Sequence, residues 1–190
     1  GMGRATSQPE VYYDKTLNSI REKLRPIFNK LYGCKTCLHL ERFGLKLPTR
    51  TSKDMVCHTD MSYIEKYQAD APMPRKLSDP VSYAPYSNDG CPQRLQAVLC
   101  LSDSDAGWYG YKGAHLKYKE IGDKLGWPGA TKSIQKVDPE MLDDLALERV
   151  NIPSKSGRLI IWNCGVPHGN TKVRKTTPRL SLYINFHPYS

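Results

Sequence analysis

The chain has 190 residues, 39% of them hydrophobic and 25% charged, a balance that supports one folded domain over 1–190 and excludes wholesale disorder. Lysine and arginine outnumber aspartate and glutamate by 28 to 19, and the resulting net charge of +9 favours an anionic partner, whether nucleic acid, a phosphorylated or CoA-linked small-molecule substrate, or an acidic protein. No apolar run approaches membrane-spanning length, and no zinc-finger, RNP or helix-turn-helix signature accompanies the charge, so nucleic acid is compatible with the composition but unsupported by motif.

Residues 11–32 are predicted to form a supporting helix. Tyr13, Leu17, Ile20, Leu24, Ile27, Phe28 and Leu31 recur at three- and four-residue steps, Pro26 is placed to kink or divide the helix, and Gly33 to end it. Six cysteines follow, at 34, 37, 57, 91, 100 and 164. The polar N-terminus lacks the apolar stretch of a signal peptide, so an intracellular, cytoplasmic setting with reduced thiols is expected. Cys34-Lys35-Thr36-Cys37, with His39 nearby, has the spacing of half a structural zinc site, but such a site needs about four ligands and no second CxxC supplies them, so ordinary, partly buried thiols are the expected reading. Cys57 adjoins a candidate ligand and is expected to make the site sensitive to oxidation.

A strand is predicted over 54–60. The segment 68–93, punctuated by Pro72, Pro74, Pro80, Pro85 and Pro92, reads as a long excursion, and 61–93 as a candidate lid loop. Residues 94–102 read as a buried strand, 103–115 as a turn and loop rich in glycine and aromatics, and 138–149 as a short helix with Asp138 as N-cap and Pro139 in its first turn. A strand follows from Gly157 to Trp162. The last, 179–186, alternates cleanly, with Arg179, Ser181, Tyr183 and Asn185 on one face and Leu180, Leu182, Ile184 and Phe186 on the other. Polar inward and apolar outward suits a barrel with a wet interior, its outer face packed on the N-terminal helix. The expected fold is mainly β: a double-stranded β-helix, or cupin-like jelly-roll barrel, occupying 54–186.

The chemistry concentrates in three places. His58 and Asp60 lie two apart on a strand and therefore share a face. His168, in Pro167-His168-Gly169, would complete a set of two histidines and one carboxylate, which leaves about three positions open on octahedral iron(II). Arg179 and Ser181 again share a face, and an arginine fork with a neighbouring hydroxyl is a carboxylate clamp. A co-substrate that chelates iron at one end and carries a carboxylate at the other fits both parts, and 2-oxoglutarate has that form. Gln96 and Asn163 are expected to face the interior around the ligands. Trp108, Tyr109 and Tyr111 are candidates for substrate contact, and His115 for the pocket entrance.

On these residues the chain resembles the phytanoyl-CoA dioxygenase-like branch of the iron(II)- and 2-oxoglutarate-dependent oxygenases. One block is Cys57-His58-Thr59-Asp60. A second is Gln96-Ala97-Val98-Leu99-Cys100-Leu101-Ser102-Asp103, leading to Lys112-Gly113-Ala114-His115, where the family's usual proline and serine are missing. The third runs from Gly157 through Trp162, His168 and Asn170 to Pro178-Arg179-Leu180-Ser181, with the family's spacing between distal histidine and 2-oxoglutarate arginine. The resemblance implies His58, Asp60 and His168 as iron ligands, and Arg179, helped by Ser181, on the far carboxylate of 2-oxoglutarate. It also implies O2-dependent oxidation of a substrate C–H bond with release of succinate and CO2. Halogenating relatives lack the carboxylate that Asp60 supplies, so hydroxylation is the implied outcome. Two other classes use some of the same features: a zinc hydrolase with the same triad, and a non-catalytic basic barrel that binds an anionic ligand or nucleic acid.

Overall fold

The computed structural model describes residues 4–6, 13–39, 42–48, 53–60, 95–126, 135–174 and 176–188. These form strands β1 (Arg4–Thr6), β2 (Thr36–His39), β3 (Phe43–Lys46), β4 (His58–Thr59), β5 (Leu95–Cys100), β6 (Ser104–Tyr111), β7 (Gln135–Lys136), β8 (Arg149–Ser154), β9 (Leu159–Asn163), β10 (His168–Asn170) and β11 (Arg179–Pro188). Helices α1 (Lys15–Tyr32), α2 (Tyr118–Lys124) and α3 (Pro139–Asp144) complete the set.

Two antiparallel sheets contain the strands. One has the order β1-β3-β11-β5-β9, with β2 also on β11, and the other has the order β7-β4-β10-β6-β8. From β3 to β6 the chain changes sheet at each strand, pairs β6 with β8 in the second sheet, then alternates again through β9, β10 and β11. That winding is a double-stranded β-helix, the jelly roll expected from the sequence. The sheets face one another across a common interior, where Trp108 of β6 lies 5.4 Å from Trp162 of β9 and Asn170 Nδ2 donates to Tyr183 Oη at 3.3 Å.

The outer face of the first sheet is covered by α1. The Asp14 side chain caps this helix by accepting the Leu17 N–H at 2.7 Å, and Gly33 ends it with φ 69°, in the left-handed region that glycine adopts freely. Leu17, Ile20, Leu24 and Phe28 pack on Leu182, Ile184 and Phe186. Phe28 and Phe186, each fully buried with ring centroids 4.8 Å apart, contribute on the order of 1.5–3 kcal/mol apiece. Of the kink or division expected at Pro26, the division does not occur: the helix runs through Pro26 without a break. Pro26 is exposed, so water can satisfy the carbonyl its ring leaves unpaired.

The second sheet departs further from expectation. Residues 104–111, expected to be turn and loop, form the strand β6. Its glycines mark close approach rather than turns. A Cβ on Gly107 would lie 1.9 Å from the Ile152 carbonyl oxygen at an irregularity in the β6–β8 pairing, and one on Gly110 would meet the Trp108 ring at 2.1 Å. The strand expected over 54–60 is reduced to His58–Thr59, with Asp60 in a bend. The helix expected over 138–149 stops at Asp144; Ala146 has φ 54° and β8 begins at Arg149. Asp138 does cap it, accepting the Glu140 N–H at 3.1 Å. The excursion at 68–93 and the lid loop at 61–93 lie outside the described residues.

Candidate metal centre and carboxylate clamp

β10 lies between β4 and β6, and His168 is the register partner of His58 on one side and of Gly110 on the other. Directly opposed residues of antiparallel strands leave the same face, so both imidazoles enter the interior, with ring centroids 4.6 Å apart. Gly110 has no side chain to compete with His168; the Trp108 ring folds over it and stacks on His168 at 6.3 Å and 16°. His58 Nδ1 is 2.8 Å from the Val56 carbonyl and His168 Nδ1 is 2.9 Å from that of Val166. A carbonyl only accepts, so in the neutral rings Nδ1 holds the proton and Nε2 offers its lone pair.

The Asp60 carboxylate lies against both Nε2 atoms. Oδ1 is 3.4 Å from His58 Nε2 and Oδ2 is 3.5 Å from His168 Nε2. The ligand atoms of His58, Asp60 and His168 all lie within 4.8 Å of one another, a group that could hold a metal ion. Burial disfavours charge on His58, but the hydrogen bond and charge of Asp60 outweigh it and leave the imidazole pKa raised. Burial likewise works against the Asp60 carboxylate. The two histidines outweigh it and hold the carboxyl well below its usual range, so it stays ionised. Two buried imidazoles and an ionised carboxylate are a donor set suited to a divalent first-row metal.

The opposite wall comes from β11. Arg179 and Ser181 are 3% and 1% exposed, opposite Lys46 and Gly44 of β3 in the strand register. The Arg179 Nε and Nη2 groups are buried with no acceptor among the described residues. Leaving such donors unpaired costs about 1–3 kcal/mol, which an anionic ligand would offset. Gly44 makes room: a Cβ there would lie 2.7 Å from Ser181 Oγ. Lys46 reaches the same end of the barrel and donates to the Thr171 and Lys53 carbonyls at 2.8 and 3.3 Å. Burial, then the charge of Arg179, lowers its pKa.

Of the remaining sequence candidates, Gln96 faces the interior and its Nε2 donates to Asp60 Oδ2 at 2.6 Å. Trp108 lines the wall beside His168. Asn163 does not take the inner place expected of it. Its Oδ1 accepts the Gly165 N–H at 2.8 Å in the turn after β9, and the inner place belongs to Trp162, whose ring is 5.0 Å from His168. The alternation of Leu159-Ile160-Ile161-Trp162-Asn163 contains that signal, because Ile160 and Trp162 share one face. Tyr109 donates its hydroxyl to the Met55 carbonyl at 2.6 Å. His115 is exposed in a one-turn 3-10 helix, Ala114–Leu116, apart from the triad. Cys34 is exposed and Cys37 half-buried, and neither belongs to the metal-binding group. No helix among the described residues is long and apolar enough to cross a membrane.

No family model matches the sequence, and no curated protein does. Solved structures do. The non-haem α-ketoglutarate-dependent carbocyclase SnoK from nogalamycin biosynthesis aligns with TM-score 0.62 at 16% identity over 92% of this chain and 59% of its own. The epimerase SnoN, in complex with Fe3+, α-ketoglutarate and nogalamycin RO, aligns with TM-score 0.61 at 16% identity over 92% and 59%. HygX from Streptomyces hygroscopicus, with nickel and 2-oxoglutarate bound, gives 0.57 at 15% identity over 99% and 71%. The chain spans about three fifths of the length of SnoK and SnoN. Proteins solved as non-haem, 2-oxoglutarate-dependent enzymes thus share its jelly-roll fold.

Proposed function

We propose that this chain is an iron(II)- and 2-oxoglutarate-dependent oxygenase domain that hydroxylates a C–H bond of a small-molecule or anionic substrate. The observation that carries the reading is Arg179: a buried guanidinium with two N–H groups that have no acceptor among the described residues, on the face of β11 that carries Tyr183 toward Asn170 of the histidine-bearing sheet. Metal binding alone would explain the cluster and leave the arginine unexplained. The ligands carried by SnoN and HygX support the same pairing of metal and co-substrate.

In this reading His58 Nε2, His168 Nε2 and a carboxylate oxygen of Asp60 hold iron. When bound, iron(II), 2-oxoglutarate and O2 supply the oxidation, in which the co-substrate is decarboxylated to succinate and CO2 and a substrate C–H is hydroxylated. The protein places and encloses. Arg179 offers its N–H groups to the far carboxylate of 2-oxoglutarate, Ser181 adds a hydroxyl, and Gly44 leaves the space for the Ser181 side chain. Trp108 and Trp162 wall off the His168 side from water. Asp60 fills the position that a halide would need, which favours hydroxylation. No side chain is required as general base or nucleophile.

Anaerobic addition of iron(II) and 2-oxoglutarate to the metal-free protein tests the proposal through the visible charge-transfer absorption of the chelate. The band is expected in wild type, absent in His168→Ala and weakened in Arg179→Ala. A folded protein that shows no band and takes up zinc instead would point to the hydrolase.

A further inference from the structure

The three proposed ligands are not fixed by the same means. His58 and His168 are ladder partners, each with Nδ1 on a backbone carbonyl two residues back. Asp60 follows the end of β4 in a bend, outside the ladder. Its carboxylate is met from the opposite sheet, where Gln96 on β5 donates from Nε2 to Oδ2 at 2.6 Å. Gln96 is set between Trp162 of β9 and Asn185 of β11, its register partners on either side.

Only the NH2 end of an amide can donate to a carboxylate, so this bond fixes the orientation of the Gln96 side chain. Its Oε1 is thereby left buried with no hydrogen-bond partner among the described residues. Packing alone gives no reason for such an arrangement. A methionine would fill nearly the same volume without a stranded carbonyl.

We infer that Gln96 is a positioning residue that holds Asp60 by Oδ2, so that Oδ1, 3.4 Å from His58 Nε2, becomes the single ligating oxygen. The inference rests on the metal-centre reading above. A carboxylate free to chelate through both oxygens would take a further position on a six-coordinate metal, one that the co-substrate or O2 needs. Gln96 keeps that position open, and it does so by tying the arginine-bearing sheet to the histidine-bearing sheet across the centre. Groups that orient metal ligands commonly change affinity by about 10–100-fold when removed.

Titration with Co(II) alone tests this in wild type, Gln96→Met, Asp60→Ala and the double variant, with circular dichroism as the folding control. Gln96→Met is expected to weaken Co(II) binding about 10–100-fold and to alter the visible d–d spectrum. The same change in the Asp60→Ala background is expected to cost nothing more, because Gln96 acts through Asp60. Gln96→Asn keeps the amide one methylene short of the carboxylate and is expected to lose affinity likewise, which covers the case in which the methionine variant does not fold. Co(II) affinity within twofold of wild type for a folded Gln96 variant, or equal losses in both backgrounds, overturns the inference and leaves the metal centre standing. A folded wild type that takes up no Co(II) overturns the metal reading and this inference together.

Discussion

The two faces of β11 are equally buried and chemically opposite. Outward, Leu182, Ile184 and Phe186 close against the apolar side chains of α1, with the Arg25 guanidinium over the Phe186 ring at 5.2 Å. Inward, Arg179, Ser181 and Asn185 are just as deeply enclosed, yet the arginine has donors without acceptors among the described residues. One strand therefore carries a face that repays burial at once and a face that holds, at Arg179, buried donors still open to a ligand. Stability and function sit about one residue apart, on alternate side chains.

Truncating each face separates the two roles. Phe186→Ala on the outer face should cost the most, about 3–5 kcal/mol, as is usual for a phenylalanine deleted from a core. Chemical denaturation would register it as a lower midpoint, with 2-oxoglutarate affinity unchanged in whatever fraction stays folded. On the inner face the sign reverses. Arg179→Met removes donors that lack a partner among the described residues and is expected to raise stability by about 1–3 kcal/mol while abolishing or strongly weakening 2-oxoglutarate binding. A stability loss comparable to that of Phe186→Ala would mean that Arg179 serves the fold, and the contrast between the faces would collapse.

Ser181→Ala sharpens the picture on a smaller scale. Removing one neutral hydroxyl costs about 0.5–1.5 kcal/mol of binding, or about a 2–10-fold higher dissociation constant for 2-oxoglutarate, with the thermal midpoint nearly unmoved. The smallest effect concerns Cys57, beside His58. Burial pushes its thiol pKa up to about 12, against the opposing charge of Arg149, so at neutral pH the group is an inert thiol rather than a thiolate. Exposed Cys34 should be alkylated in the native protein, and Cys57 only on unfolding, as peptide mapping after iodoacetamide treatment would show. That outcome would retire the expectation that Cys57 makes the centre sensitive to oxidation.

The same two faces explain what could be read before any coordinates. β11 was legible because polar and apolar residues alternate without interruption, which sets register, inner face and helix-packing face together. β6 was not. Ser104-Asp105-Ala106-Gly107-Trp108-Tyr109-Gly110-Tyr111 carries the composition of a turn, and only the opposing Ile152 carbonyl and the folded-over Trp108 ring explain why glycine is needed inside a strand. His58, Asp60 and His168 could be grouped from their spacing. Their convergence, however, comes from a strand only two residues long and a bend, not the longer strand that residues 54–60 suggest. Gly44 and Lys46 gave no local sign at all, since their relation to Ser181 and Arg179 exists only through the β3–β11 register.

The ladder that holds the two histidines also acts as a ruler. Their ring centroids are 4.6 Å apart, close to the about 4.7–4.9 Å that hydrogen-bonded strands keep between them. That length belongs to the backbone and is the same for any sequence that forms the sheet, so exchanging side chains elsewhere on the barrel leaves it unaltered. Asp60 is the one proposed ligand off the ruler. Variants selected for a metal of different size or charge should therefore accumulate changes at Asp60 and the residues that touch it, while His58 and His168 keep their places.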